Sequence, residues 1–136
     1  MKSTATAVWN GSGKEGSGNL TTGSGVLNHA SYTWASRFAG AAGTNPEELI
    51  AAAHAGCFTM KLSFVLGEAG LKADELETTA EITIENGSIT KSHLQVKATV
   101  PGATQDAFLK CAEEAKMNCP VSKLLKAEIS MDAALR

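Results

Sequence analysis

From Leu49 to Leu66 the sequence is almost uninterruptedly apolar, with Leu49, Ile50, Phe58, Met60, Leu62, Phe64, Val65 and Leu66 set among alanines. Its edges carry helix punctuation. Asn45 is a capping residue, Pro46 suits the first helical position, and Glu48 stands three after the cap. Gly70 is a left-handed stop. The pattern predicts a long helix from Pro46 to Gly70 with hardly a polar face, and therefore a buried one. Beyond it the period changes to two. Ala80, Ile82 and Ile84 share one strand face, and Leu94, Val96, Ala98 and Val100 share one face of the next. Asn86-Gly87 between them is a hairpin turn. Thr104 caps a second helix with apolar positions Phe108, Cys111, Ala112 and Ala115. Asn118-Cys119-Pro120 breaks it and opens a shorter helix from Val121 to about Lys126, before a last strand alternating Ala127, Ile129, Met131 and Ala133.

Ahead of the long helix the signals are shorter. Residues 4–10 and 19–22 read as two strands of a hairpin around the turn at 10–16, and a third short strand is expected around Tyr32 to Trp34. Arg37-Phe38 leads into a glycine- and alanine-rich run that reads as flexible. Strands, long helix, strands, helices and a final strand make an α+β chain rather than a repeated βαβ one.

At 136 residues the sequence is the size of a single domain, expected here to span 1–136. With 43% hydrophobic and 19% charged residues it has the composition of a globular protein, and a net charge of −2 gives no electrostatic basis for binding nucleic acid or an anionic membrane. The N-terminal residues lack the apolar core of a signal peptide, and His54 and Lys61 interrupt the long helix, so a cytoplasmic setting without membrane insertion is expected. Thiols stay reduced there, which turns attention to the three cysteines as catalytic, metal-binding or buried groups.

They are not equivalent. Cys111 falls on the apolar face of its helix and reads as core. Cys119, just before Pro120, is either a boundary residue or a thiol favoured as thiolate by a helix start. Cys57 lies too deep in its helix for the helix dipole to act on it, and burial alone would leave it inert. A cation changes that. Lowering a thiol from about 8.5 by roughly three units takes about 4 kcal/mol, which one guanidinium at about 4 Å supplies at an effective dielectric near 20. Arg37 is the candidate, since the other arginine is Arg136, and Glu47 is a carboxylate able to hold it. Taken alone, each also reads as an ordinary loop charge and helix-start carboxylate. His54, three residues before Cys57, admits a Cys–His nucleophile pair or a zinc site with Cys119, but no metal-ligand spacing or orienting third group accompanies it.

Asn-Pro-Glu-Glu-Leu-Ile-Ala-Ala-Ala-His-Ala-Gly-Cys-Phe at 45–58 and Asn-Cys-Pro-Val-Ser at 118–122 resemble the OsmC/Ohr family, the osmotically inducible and organic hydroperoxide resistance proteins. Ser-Gly-Val-Leu at 24–27, Arg37-Phe38 and Leu-Lys-Ala-Glu-Ile at 125–129 extend the likeness along the chain, and Arg-Phe with His-Ala-Gly-Cys resembles the OsmC branch more than the Ohr branch. The resemblance implies an OsmC-like fold, with a long central helix packed against antiparallel sheets in an intertwined homodimer. It implies reduction of organic hydroperoxides, with Cys57 as the attacking thiol, Cys119 as the resolving thiol joined to it in a disulfide, and Arg37 and Glu47 as the activating pair. The reductant that the resemblance implies is a dihydrolipoyl group or small thiols, and no metal, haem or flavin is required. Non-catalytic ligand binding on the same fold, and acyl transfer by Cys57 with His54, are the competing expectations. One geometric consequence follows. Glu47 and Cys57 are ten residues apart, about 15 Å along a helix, whereas one guanidinium touching both needs them within about 8 Å. Either the helix starts late and the segment holding Glu47 folds back, or Glu47 serves the Cys57 of the other subunit, the arrangement that a nearly all-apolar helix favours.

Overall fold

The computed structural model describes residues 1–136, which form two compact units, Met1–Leu49 and Ile50–Arg136.

The first unit is built on a three-stranded antiparallel sheet in the order β1 (Ala5–Asn10), β2 (Ser17–Thr22), β3 (Ala30–Tyr32). No residue of these strands is buried in the single chain. The Trp9 and Tyr32 rings meet at 5.2 Å, tilted by 57°, across Gly18, where a Cβ would lie 2.6 Å from the Trp9 ring and 2.7 Å from the Tyr32 ring. The strand expected to reach Trp34 stops at Tyr32, because Thr33 caps a short helix, α1 (Trp34–Phe38). The Ser36 amide donates to the Thr33 hydroxyl, and the Ser36 hydroxyl accepts in turn from the Thr33 amide. The run expected to be flexible, from Ala39 onward, therefore follows a helical turn.

α2 (Pro46–Glu68) starts in the first unit and continues into the second. Its entry follows the sequence signals: the Glu48 amide donates to Asn45 Oδ1 at 2.7 Å, and the chain leaves the helix through Gly70 at φ 77°. The helix is buried along one stripe only, through His54, Phe58, Leu62, Val65 and Leu66. Met60 and Phe64 on its other side stay 65% and 63% exposed, so the expectation of burial all round is corrected for the single chain. An 18-residue window of mean hydropathy 1.6 makes α2 long and apolar enough to cross a bilayer by length and composition, despite His54 and Lys61. Its buried stripe, however, packs into a protein core.

That core belongs to the second unit. β4 (Glu75–Glu85) and β5 (Ser88–Thr99) form the expected hairpin, with Asn86 at φ 50° and Gly87 at φ 78° in its turn. Leu94, Val96 and Ala98 of β5 face Phe58, Leu62 and Leu66 in one cluster with Phe108, Ala112 and Ala115 of α3 (Gln105–Asn118). The Thr104 hydroxyl caps α3 through the Ala107 amide at 3.1 Å. After α4 (Pro120–Leu124), β6 (Glu128–Leu135) joins the other edge of β5 in parallel. This sheet is therefore mixed, because α3 and α4 return the chain to the end of β5 from which β6 must run alongside it.

Candidate active site

In the first unit α1 delivers Arg37 to Glu47. The buried Ser36 hydroxyl donates to the Thr44 carbonyl at 2.9 Å, and the Asn45 side-chain amide donates to the Ser36 carbonyl at 3.3 Å. With α1 tied to the entry of α2, Arg37 Nε reaches both carboxylate oxygens of Glu47, at 3.0 and 3.2 Å, and Nη2 reaches Oε1 at 2.7 Å. Burial alone would raise the Glu47 carboxyl, but the hydrogen bonds and charge of Arg37 outweigh it and hold the group below the usual carboxylate range. The same bonds raise Arg37 above its ordinary value. The guanidinium remains 38% exposed while the carboxylate is 11% exposed.

The second unit brings together Cys57 and Cys119, both free thiols. Cys57 is half-buried on α2, beside the junction of α3 and α4 that carries Cys119. Cys119 is fully buried and caps α4, its Sγ accepting from the Ser122 amide at 3.3 Å. Burial pushes the Cys57 thiol up, Cys119 beside it adds to the rise, and the Val121 backbone offsets part of it. Within this unit nothing of positive charge counters the burial, so the unit alone keeps Cys57 a protonated thiol. Cys111 is a core residue of α3, 7% exposed, and burial raises its thiol too.

His54 was weighed in the sequence as a partner for Cys57 or a zinc ligand, and it is neither here. It is fully buried, with Nδ1 on Ser92 Oγ at 2.6 Å and Nε2 on Ser122 Oγ at 2.8 Å, so both ring nitrogens are engaged by hydroxyls. No cluster of three or more histidine, cysteine or acidic side chains arises around it. Ser122 Oγ lies 3.2 Å from Cys119 Sγ. Sequence reasoning passed over Ser92 and Ser122. The one available signal was local: Ser122 is three residues after the capping Cys119, the position whose amide a cap accepts.

A groove of about 1030 Å³ between α2 and the β4 side of the second unit, lined by Met60, Leu71 and Leu76 among others, contains none of these thiols.

The sequence model described as OsmC-like protein matches residues 39–134. Peroxiredoxin OsmC of Escherichia coli strain K12 is 46% identical over 134 residues, which cover 96% of this chain and 94% of that protein. The chain belongs to the OsmC-like protein family. Solved folds agree. The OsmC-like protein of Mycoplasma pneumoniae superposes with a TM-score of 0.77 at 14% identity, covering 99% of this chain and 97% of the other. The organic hydroperoxide resistance protein OhrB of Bacillus subtilis does so with a TM-score of 0.66 at 25% identity, with 98% of each chain covered. In this OsmC-like protein the α+β architecture of two small sheets and a long central helix is thus that of the OsmC and Ohr proteins.

Proposed function

We propose that this OsmC-like protein is a thiol peroxidase that reduces organic hydroperoxides to alcohols, as a stress-defence enzyme of the cytoplasm. Its relatives named peroxiredoxin and organic hydroperoxide resistance protein support a peroxide-detoxifying redox role. The observation that carries the finer reading is the meeting of two free thiols in contrasting settings, one half-buried on a long helix and one buried at a helix cap. Cys57, as thiolate, attacks the distal peroxide oxygen. The O–O bond breaks, the alcohol leaves with a proton, and Cys57 becomes a sulfenic acid. Cys119 then displaces its hydroxyl as water, closing a disulfide before further oxidation. An external dithiol, of lipoyl type or a small thiol, exchanges with that disulfide and restores both cysteines. The sulfur chemistry is complete without a metal or organic cofactor.

Cys57 needs a cation to react at neutral pH, and the Arg37–Glu47 pair is the one we assign to it. Glu47 fixes the guanidinium by a bidentate contact, and Arg37 stabilises the thiolate. Because α2 is one unbroken helix through Glu47 and Cys57, the pair acts on the Cys57 of a second copy. The exposed Met60–Phe64 face of α2 and the absence of buried residues in the β1–β2–β3 sheet favour a homodimer in which the copies cover each other, each chain serving as one functional domain.

The test is to count thiols before and after one equivalent of cumene hydroperoxide and to map the oxidised peptides. The expected result is loss of two thiols per chain, a Cys57–Cys119 bridge and a free Cys111. An unchanged thiol count, or a main product joining Cys57 to Cys111 or one chain to another, would refute the reading.

A further inference from the structure

α2 buries a stripe in which His54 occupies a slot equivalent to those of Phe58 and Leu62. An apolar side chain there would extend the core, whereas an imidazole must be stripped of water and given partners inside the protein. The partners come from two other elements. Ser92, fully buried on β5, takes Nδ1 at 2.6 Å, and Ser122, 8% exposed on α4, takes Nε2 at 2.8 Å. Ser122 in turn touches Cys119 Sγ twice, by its amide at 3.3 Å and its hydroxyl at 3.2 Å. The result is one connected line of polar atoms, Ser92–His54–Ser122–Cys119, running through the core to the second thiol. A network of this kind in low dielectric is worth having only when every member is satisfied, and no buried side-chain polar atom in the protein lacks a partner.

We propose that His54 is a positioning residue for the resolving step, holding Ser122 so that its hydroxyl takes the proton of Cys119 as that thiol attacks the Cys57 sulfenic acid. The inference rests on the peroxidase reading above and concerns its second step. In that step the Cys119 S–H bond breaks and a bond forms between the two sulfurs. The S–O bond of the sulfenic acid breaks, the Cys119 sulfur being oxidised and the Cys57 sulfur reduced. The Cys119 proton moves to Ser122 Oγ as the Ser122 proton moves to His54 Nε2, and a proton rejoins the departing hydroxide as water. The step uses the tautomer in which His54 Nδ1–H donates to Ser92 Oγ and Nε2 accepts from Ser122. The peroxide of the first step is the oxidant. Burial lowers the His54 imidazole below its ordinary value with no charged group contributing, so at neutral pH the ring is an acceptor and no fixed charge. The titratable groups set against the network are Cys57 and Cys119, and its other members on β5 and α4 are serine hydroxyls.

The experiment follows both steps in one turnover. Reduced protein is mixed with one equivalent of cumene hydroperoxide and acid-quenched at intervals. Intact mass separates the sulfenic acid, heavier by one oxygen, from the disulfide, lighter by two hydrogens. In His54→Gln and Ser122→Ala the first step should proceed at close to the parent rate, while disulfide closure slows by about tenfold or more. Closure in the parent should vary little from about pH 6 to about pH 8. In Ser122→Ala it should rise by about tenfold per pH unit, since closure then waits on thiolate formed without help. Ser122→Thr, which keeps the hydroxyl, should recover most of the lost rate. Closure at the parent rate in both variants, equal slowing of both steps, or an unchanged pH profile in Ser122→Ala would each overturn the proposal. Should His54→Gln fail to fold, the Ser122→Ala and Ser122→Thr pair decides alone. A parent that forms no Cys57–Cys119 disulfide would instead overturn the peroxidase reading itself.

Discussion

Replacing Arg37 and Glu47 singly and together separates charge from placement in the activation of Cys57. A guanidinium about 4 Å from the sulfur attracts the thiolate by about 4 kcal/mol at an effective dielectric near 20, and a carboxylate held behind it, about 7 Å away, repels the thiolate by about 2.4 kcal/mol. Arg37 is 38% exposed, and solvent there screens both effects, so the intact pair is worth about 1–2 kcal/mol, or about five- to thirtyfold in thiolate at a fixed pH below the Cys57 midpoint. Arg37→Ala removes the attraction and leaves the repulsion, so thiolate should fall by at least about thirtyfold. The double variant Arg37→Ala/Glu47→Gln should fall less. Glu47→Gln alone keeps a carbonyl oxygen to accept from Arg37 and loses the repulsion, so its thiolate should match or exceed the parent's. The assay is thiolate absorbance against pH, with each variant in a Cys111→Ser background, together with the second-order rate with cumene hydroperoxide at neutral pH. The expected order is Glu47→Gln, parent, double variant, Arg37→Ala. A titration identical in Arg37→Ala and parent would refute Arg37 as the activating cation. A Glu47→Gln protein as slow as Arg37→Ala would refute the charge arithmetic and leave the bidentate contact as the whole of the role of Glu47.

Cys57→Ser should abolish turnover, and Cys119→Ser should complete about one turnover and stall with an oxidised Cys57, as read by alcohol released per chain. Refolding Cys57→Ser and Arg37→Ala chains together, each impaired by itself, should regain one active site per mixed dimer, whereas mixed dimers as impaired as their parents would exclude an active site shared between copies. Because the Glu47 carboxyl is held below its ordinary value, its pairing with Arg37 stabilises the fold fully above the unfolded-state value near 4.5 and loses that contribution as pH falls through the lowered folded value. The stability gap between parent and Glu47→Gln, about 1 kcal/mol or less for so exposed a pair, should therefore close in acid, and denaturant midpoints measured across that range check it.

The elements that announced themselves in the sequence are those with their own end signals. Asn45, Pro46 and Gly70 bound α2, Asn86-Gly87 makes the β4–β5 turn, and Thr104 and Cys119 cap α3 and α4. α1 has five residues, too few for an apolar period, and its capping box ends in Ser36 rather than the glutamate or glutamine such boxes favour. Alternation along β6 says which residues share a face and nothing about strand direction, so its parallel pairing was not legible. The near-uniform apolar composition of α2 concealed which face its own chain covers. His54 was hidden for the opposite reason. Hydrophobic pattern counts apolar positions, while its partners Ser92 and Ser122 lie 38 and 68 residues further on and meet it only in the folded core.

Both tryptophans, Trp9 and Trp34, and the single tyrosine, Tyr32, lie in the first unit, and all three cysteines lie in the second. Nature has thereby sorted the chain's optical and chemical reporters. Intrinsic fluorescence watches the first unit, from Trp9 on β1 and Trp34 on α1, and thiol alkylation watches the second, from Cys57 on α2, Cys111 on α3 and Cys119 at the cap of α4. Unfolding curves recorded by the two probes should superimpose if both units melt as one cooperative body.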